Sequence, residues 1–249
     1  MKAFQRNRVV LFDHDGTVVD SETIALKSAW KLTNEVALEF PGARHYELED
    51  FVKSFAGKPY REILKKIYAD SLTSLNESDI DRLVAEEEKR AIARLTIEAK
   101  PTAGTPQVLS YLRENKIEYA LVSNSSLERL NACLGAAQLT DYFPTEQIFS
   151  ANDSLPVARP KPLPDIYLHA ARCMQADVSD CVALEDSISG VKAAVAAGIG
   201  QIIGYVGGTH ISNDERISRA DALFSAGVQQ VIEQMQDLIG LLSPTLVLK

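Results

Sequence analysis

Residues 11–22 read "LFDHDGTVVDSE": two aspartates flank a histidine, then come a glycine, a threonine and a third aspartate. The apolar run "VVLF", residues 9–12, leads straight into them. In an extended segment, residues two apart point the same way, so Asp13 and Asp15 share a direction at the strand's end and His14 turns behind it into packing. Two carboxylates so placed repel unless a cation or a shared proton intervenes. A hard divalent ion with oxygen ligands supplies that compensation, and Mg2+ suits a compact site that also receives phosphate. Gly16 permits a sharp turn, and Thr17 carries a hydroxyl for a phosphate or for the turn itself. A polar turn closing a strand remains the plain alternative for this segment taken alone. An EF-hand loop is excluded because Leu11 stands at the first ligand position, and no Walker A sequence occurs.

Outward from this stretch the same grammar recurs. "EYALVS" precedes "SLERLNACLG", "CVALED" precedes "SISGVKAAVAAG", and "QIIGYV" and a short "ALF" follow. Apolar runs alternating with helical patterns predict a mostly parallel α/β sheet of the Rossmann-like kind. Ligands in such sheets bind beyond the carboxyl ends of the strands, so Asp13, Ser123 and Asp186 should gather at one edge. The rhythm breaks between about residues 22 and 97. There "LEDFVKSFAG" sets Leu48, Phe51, Val52 and Phe55 on one helical face, and "DIDRLVAEEEKRAIARL" does so with Ile80, Leu83, Val84 and Leu95. The expected organisation is an α/β core from residues 1–21 and 98–249 with a helical insertion over 22–97, joined near Asp20 and Pro101.

Each further polar strand end has two readings. Ser123 and Asn124 after "YALV" offer a hydroxyl and backbone N–H groups to a phosphoryl oxygen, or a helix N-cap. Lys161, between prolines in "ARPKPLPDIY", is a point charge for phosphate or an exposed loop lysine. Glu185 and Asp186 in "VALEDSISG" complete an acidic metal site or cap the next helix.

Composition sets the outer limits. With 249 residues, 46% hydrophobic and 24% charged, the chain has the makeup of a soluble globular enzyme with a substantial core. A formal charge of -8 without a Lys/Arg cluster argues against nucleic acid as partner. No signal-peptide h-region and no run of transmembrane length occur, and the apolar tail "LIGLLSPTLVLK" is short and broken by Pro244. The expectation is a cytoplasmic protein without membrane contact, with Cys133, Cys173 and Cys181 as reduced core thiols. A monomer is expected, with a dimer allowed.

Taken together, the four motifs resemble the haloacid dehalogenase superfamily on its phosphatase side. Asp13-His14-Asp15-Gly16-Thr17 matches its first motif, Ser123 its second, Lys161 its third and the acidic pair of "EDSISG" its fourth. The helical insertion after the first motif is similar to the cap of the beta-phosphoglucomutase-like branch. The resemblance implies that Asp13 attacks phosphorus, that Asp15 serves as acid and base, and that Lys161 with Ser123 orients the nucleophile. It also implies Mg2+ held by Asp13, the backbone carbonyl of Asp15 and Asp186, with Glu185 one layer out. Thr17, Ser123, Asn124, Glu22 and the cap's Lys58 are the implied substrate-binding residues, and Arg159 is a further cationic candidate. The implied substrate is a small phosphorylated metabolite, a sugar phosphate or a sugar-acid phosphate such as 6-phosphogluconate; the "FAGKPYREI" region looks like that of bacterial 6-phosphogluconate phosphatases. The alternative is a sugar phosphomutase. Beta-phosphoglucomutases carry a cap histidine twelve residues after the nucleophile, and Ala25 stands there in this chain, which favours water as acceptor.

Overall fold

The computed structural model describes residues 8–39, 44–69 and 75–242. Residues 1–7 and the break at Pro244 in the tail lie outside them. Six strands form one parallel sheet: β1 (Val9–Phe12), β2 (Glu118–Ser123), β3 (Ile148–Ser150), β4 (Cys181–Glu185), β5 (Gln201–Tyr205) and β6 (Gln230–Ile232). Their spatial order is β3-β2-β1-β4-β5-β6. All five strand pairings are parallel. A parallel sheet covered by helices on both faces needs apolar residues on both sides of each strand, so "VVLF" is buried throughout.

The helices that cover it are α5 (Thr105–Glu114), α6 (Leu127–Ala136), α7 (Asp165–Cys173), α8 (Ile188–Ala197), α9 (Arg216–Ala226) and α10 (Asp237–Leu242). Short polar residues start two of them. Ser126 accepts from the Arg129 backbone N–H at 3.3 Å to cap α6, and Ser187 accepts from that of Gly190 at 3.0 Å to cap α8. The caps thus fall on Ser126 and Ser187, which relieves Ser123, Glu185 and Asp186 of that duty. The expected strand "ALF", residues 222–224, is helical instead, inside α9. Leu223 alone of the three is fully buried, packed among core residues of the sheet's surroundings. Period-two reading of so short a run cannot separate it from one turn of helix.

The chain divides into two compact units, one of Met1–Asp20 with Lys100–Lys249 and the other of Ser21–Ala99. The second holds α1 (Glu22–Glu39), α2 (Leu48–Phe55), α3 (Tyr60–Tyr68) and α4 (Glu77–Glu98). Its core takes Leu26, Ala29, Leu32 and Val36 from α1, spaced for one helical face. Phe51, Phe55, Ile63, Leu64, Ile80 and Leu83 close against them. Asn76 starts α4 by accepting from the Asp79 N–H at 2.9 Å. No helix among the described residues is long and apolar enough to cross a membrane. Cys133 and Cys181 are buried thiols, but Cys173 is exposed at the last turn of α7, against the expectation of three core cysteines.

Candidate active site

Strand order positions the site before any side chain is considered. The chain runs from β1 to β2 on one side and returns to β4 on the other, so the gap between β1 and β4 is the topological switch point of the sheet. Phe12 is in register with Leu121 of β2 and with Leu184 of β4. One step further, the Asp13 N–H still donates to the Leu184 carbonyl at 2.9 Å. That step brings Asp13, Val122 and Glu185 to one level at the carboxyl edge.

Lys161 crosses this level. Its Nζ donates to Asp13 Oδ1 at 2.6 Å, to the Val122 carbonyl at 2.7 Å and to Glu185 Oε1 at 2.6 Å. All three ammonium hydrogens are therefore satisfied, and the side chain is buried rather than exposed in a loop. Asn124 fixes the lysine's backbone: its Oδ1 accepts from the Lys161 N–H at 2.7 Å. Tyr167, six residues on at the start of α7, donates its hydroxyl to Glu185 Oε1 at 2.5 Å. Ser187 Oγ donates to Glu185 Oε2 at 3.1 Å, so both oxygens of Glu185 are engaged. Gly190 explains the glycine of the fourth motif, because a Cβ there would stand 1.9 Å from Glu185 Oε2.

Asp13, Glu185 and Asp186 are buried, and each offers a carboxylate oxygen within 4.8 Å of the others. Burial pushes the Asp13 carboxyl well up; Lys161 opposes the shift, while Glu185 and Asp186 add to it. For Lys161, burial acts to lower the ammonium's pKa, but Asp13 and Glu185 outweigh it and raise the group above its usual range. Burial, then Glu185, raises the Tyr167 phenol as well, which keeps it a donor. Three buried carboxyl groups stand against one ammonium in this cluster, a donor set rich in acidic oxygens. A divalent cation that prefers hard oxygen ligands fits that donor set.

Asp15 sits apart from this cluster. Its Oδ2 accepts from Ser125 Oγ at 2.7 Å and from Ser123 Oγ at 3.4 Å, and its Oδ1 meets Arg129 Nη2 at 3.1 Å. His14 is fully buried behind the strand, with Nδ1 3.5 Å from Asp15 Oδ2. Thr17 is buried too, and its Oγ1 has no hydrogen-bond partner among the described residues. Ser123 Oγ accepts from the Ser125 N–H at 3.0 Å. Arg159 pairs with Asp165 at 2.5 Å. In the helical unit, Glu22 Oε1 accepts from the Gly57 N–H at 3.0 Å, which ties it to the loop that bears the exposed Lys58.

Sequence reasoning passed over Tyr167, Ser125, Arg129 and His210. Tyr167 closes the quoted "KPLPDIY", and Ser125 and Arg129 come two and six positions after Ser123, yet a lone hydroxyl or arginine near the start of a helix carries no signal of its own. His210 lies five residues beyond the end of β5, after the glycine pair and Thr209, too far from the strand for the rule of polar strand ends to single it out.

A model of haloacid dehalogenase-like hydrolases matches residues 7–198. The 6-phosphogluconate phosphatase of Escherichia coli (strain K12) is 27% identical over 195 residues, 78% of this chain and 80% of that protein. The phosphorylated carbohydrates phosphatase of Thermotoga maritima is 27% identical over 224 residues, 90% of this chain and 93% of that one. Among solved structures, a conserved haloacid dehalogenase-like protein of unknown function from Agrobacterium tumefaciens superposes with a TM-score of 0.76 at 33% identity, covering 94% of this chain and 96% of its own.

Proposed function

The chain belongs to the haloacid dehalogenase-like hydrolases and is a phosphoric monoester hydrolase; from that premise we propose that it cleaves small sugar phosphates or sugar-acid phosphates by way of a phosphoaspartate on Asp13, with Mg2+ as cofactor. The observation that carries the reading is the buried Asp13–Lys161–Glu185 contact beside Asp186 at the sheet's switch point.

In the first step an Asp13 carboxylate oxygen forms a bond to phosphorus as the bond to the leaving oxygen breaks. Asp15 gives its proton to that oxygen and releases the alcohol. In the second step water attacks phosphorus, Asp15 takes one of its protons, and the Asp13–phosphorus bond breaks to free inorganic phosphate. Lys161 holds the nucleophile in place and offsets phosphoryl charge. Ser123 and Thr17 are assigned to the phosphoryl oxygens; the buried, unpartnered Thr17 hydroxyl supports its share. Asn124 serves this site by anchoring Lys161. The Asp13 and Asp186 carboxylates, with the Asp15 backbone carbonyl, would hold Mg2+, which when bound neutralises charge on the transferring group. Glu185 is an anchor for Lys161 rather than a ligand, since Lys161, Tyr167 and Ser187 already engage its oxygens.

Choice of substrate is assigned to the helical unit, through Lys58 toward a hydroxyl or carboxylate and through Glu22 as the support of its loop. The relatives named for 6-phosphogluconate and for phosphorylated carbohydrates support this substrate class. Ala25 on α1 brings no proton-transfer group, which supports hydrolysis over transfer to a second sugar hydroxyl. The test is phosphate release from a panel of small phosphate monoesters with Mg2+, run beside Asp13→Asn. Release by the wild-type chain and none by the variant is the expected result. Equal release by both would end the reading.

A further inference from the structure

After β5 the chain passes through "VGGTH", residues 206–210, and brings an imidazole back over the first motif. His210 Nε2 lies 3.0 Å from Asp186 Oδ2, with the two side chains 6% and 8% exposed. An ionised carboxylate can only accept, so Nε2 carries the hydrogen of this contact.

The space for the ring is built by two glycines. A Cβ on Gly16 would stand 2.5 Å from both His210 Cε1 and Asp186 Oδ2. One on Gly208 would stand 2.6 Å from His210 Cε1 and 2.7 Å from the Gly16 carbonyl oxygen. Any side chain at either position would displace the imidazole. The loop itself is tied down: Thr209 Oγ1 donates to Asp20 Oδ1 at 3.0 Å, and the Ile211 N–H donates to the Gly208 carbonyl at 3.1 Å. The mutually close set of possible ligand side chains is Asp13, Glu185 and Asp186, and His210 stands beside it. Of the clustered carboxylates, Asp186 is paired with it.

We infer that His210 is a positioning residue for the metal, holding the Asp186 carboxylate in its ligating orientation by the Nε2 hydrogen bond. The inference rests on the reading of Asp186 as a metal ligand. A carboxylate free to rotate must be ordered when the ion binds, and a hydrogen bond that has already ordered it removes that cost. An imidazole gives this hydrogen bond without placing a permanent positive charge beside the ion, as a lysine would.

The test measures metal binding directly on the full chain without substrate, by the EPR signal of free Mn2+ and by Mg2+ competition. Asp186→Asn serves as the reference for loss of a ligand. His210→Met fills the slot without a donor, and His210→Gln places an amide N–H near the position of Nε2. The expected outcome is Mn2+ and Mg2+ affinity lower by about 10- to 100-fold in His210→Met and within about threefold of wild type in His210→Gln. Thermal unfolding of each variant confirms that it is folded. Wild-type affinity in His210→Met, or equal weakening in both variants, overturns the inference. A wild-type chain that binds Mn2+ through Asp186 but hydrolyses no phosphate ester would end the phosphatase reading and leave this one standing. Metal binding indifferent to Asp186→Asn would overturn this one.

Discussion

The two units of the chain bury opposite chemistries. At the carboxyl edge of the sheet, Asp13, Lys161, Glu185 and Asp186 are all withdrawn from solvent, and Lys161 bridges Asp13 and Glu185 by contacts of 2.6 Å. In the helical unit the interior is mostly aliphatic and aromatic, with the Phe51 and Phe55 ring centroids 4.8 Å apart and Glu87 of α4 as its buried charged side chain. A neutral pair, Thr33 and Tyr60 at 3.2 Å, provides a polar contact inside it. Its ion pairs, such as Lys65–Glu77 at 2.8 Å and Arg90–Glu86 at 2.6 Å, lie on the surface. Taking charges out of water is costly, and replacing a buried ion pair by well-packed apolar groups is often neutral or stabilising. A fold does not need the Asp13–Lys161–Glu185 set for its own sake, and the core of the helical unit is built almost entirely without such charges. The difference supports the proposal that the chemistry is seated at the sheet edge.

The sharpest way to break that contrast is Asp13→Asn. It leaves the shape of the site and removes the proposed nucleophile, and phosphate release should fall by about 10^4-fold or more, read as kcat at saturating substrate. Chelation by EDTA should stop turnover, and added Mg2+ should restore it. Asp15→Asn should cost about 10^2- to 10^4-fold, the scale of general acid–base help. That loss should be smaller on an activated aryl phosphate, whose leaving group needs no proton.

The opposite unit yields a different kind of effect. Phe51→Ala opens the aromatic core and should lower stability by about 3–5 kcal/mol in urea unfolding. Hydrogen exchange should then rise in α1 to α4 while the strands stay protected; uniform loss of protection would show one cooperative block instead of two. Lys58→Ala is the mildest change. Its exposed ammonium should matter to KM by less than about tenfold, with kcat unchanged. A large fall in kcat there would move chemistry into the helical unit and blur the comparison.

How much of the molecule is legible in its sequence depends on the kind of signal. Long apolar runs and strict helical periods declare β1, β2, β4, β5 and the faces of α2 and α4, because burial constrains residue type at each position. The three-residue strands β3 and β6 do not stand out, and "ALF" reads as a strand although it is helical, since three residues do not define a period. Ser123 and Asn124 are visible as polar residues closing a strand, but nothing in the string says that Ser123 meets Asp15 and Asn124 meets Lys161. Cys173 looks like the other two cysteines in the string and differs from them only in lying on an outward turn of α7.

By itself the sequence determined the parallel sheet, the interruption of its rhythm after the first strand, and which carboxylates and lysine stand at strand ends or beside prolines. These follow from local burial and backbone freedom, which a chain must write into its residues. Only the tertiary structure decided that Lys161, 148 positions from Asp13, donates to it, and that Arg129 and His210 close on Asp15 and Asp186. Such contacts depend on strand order and register, and no short-range pattern encodes the distance between residues that folding alone brings together.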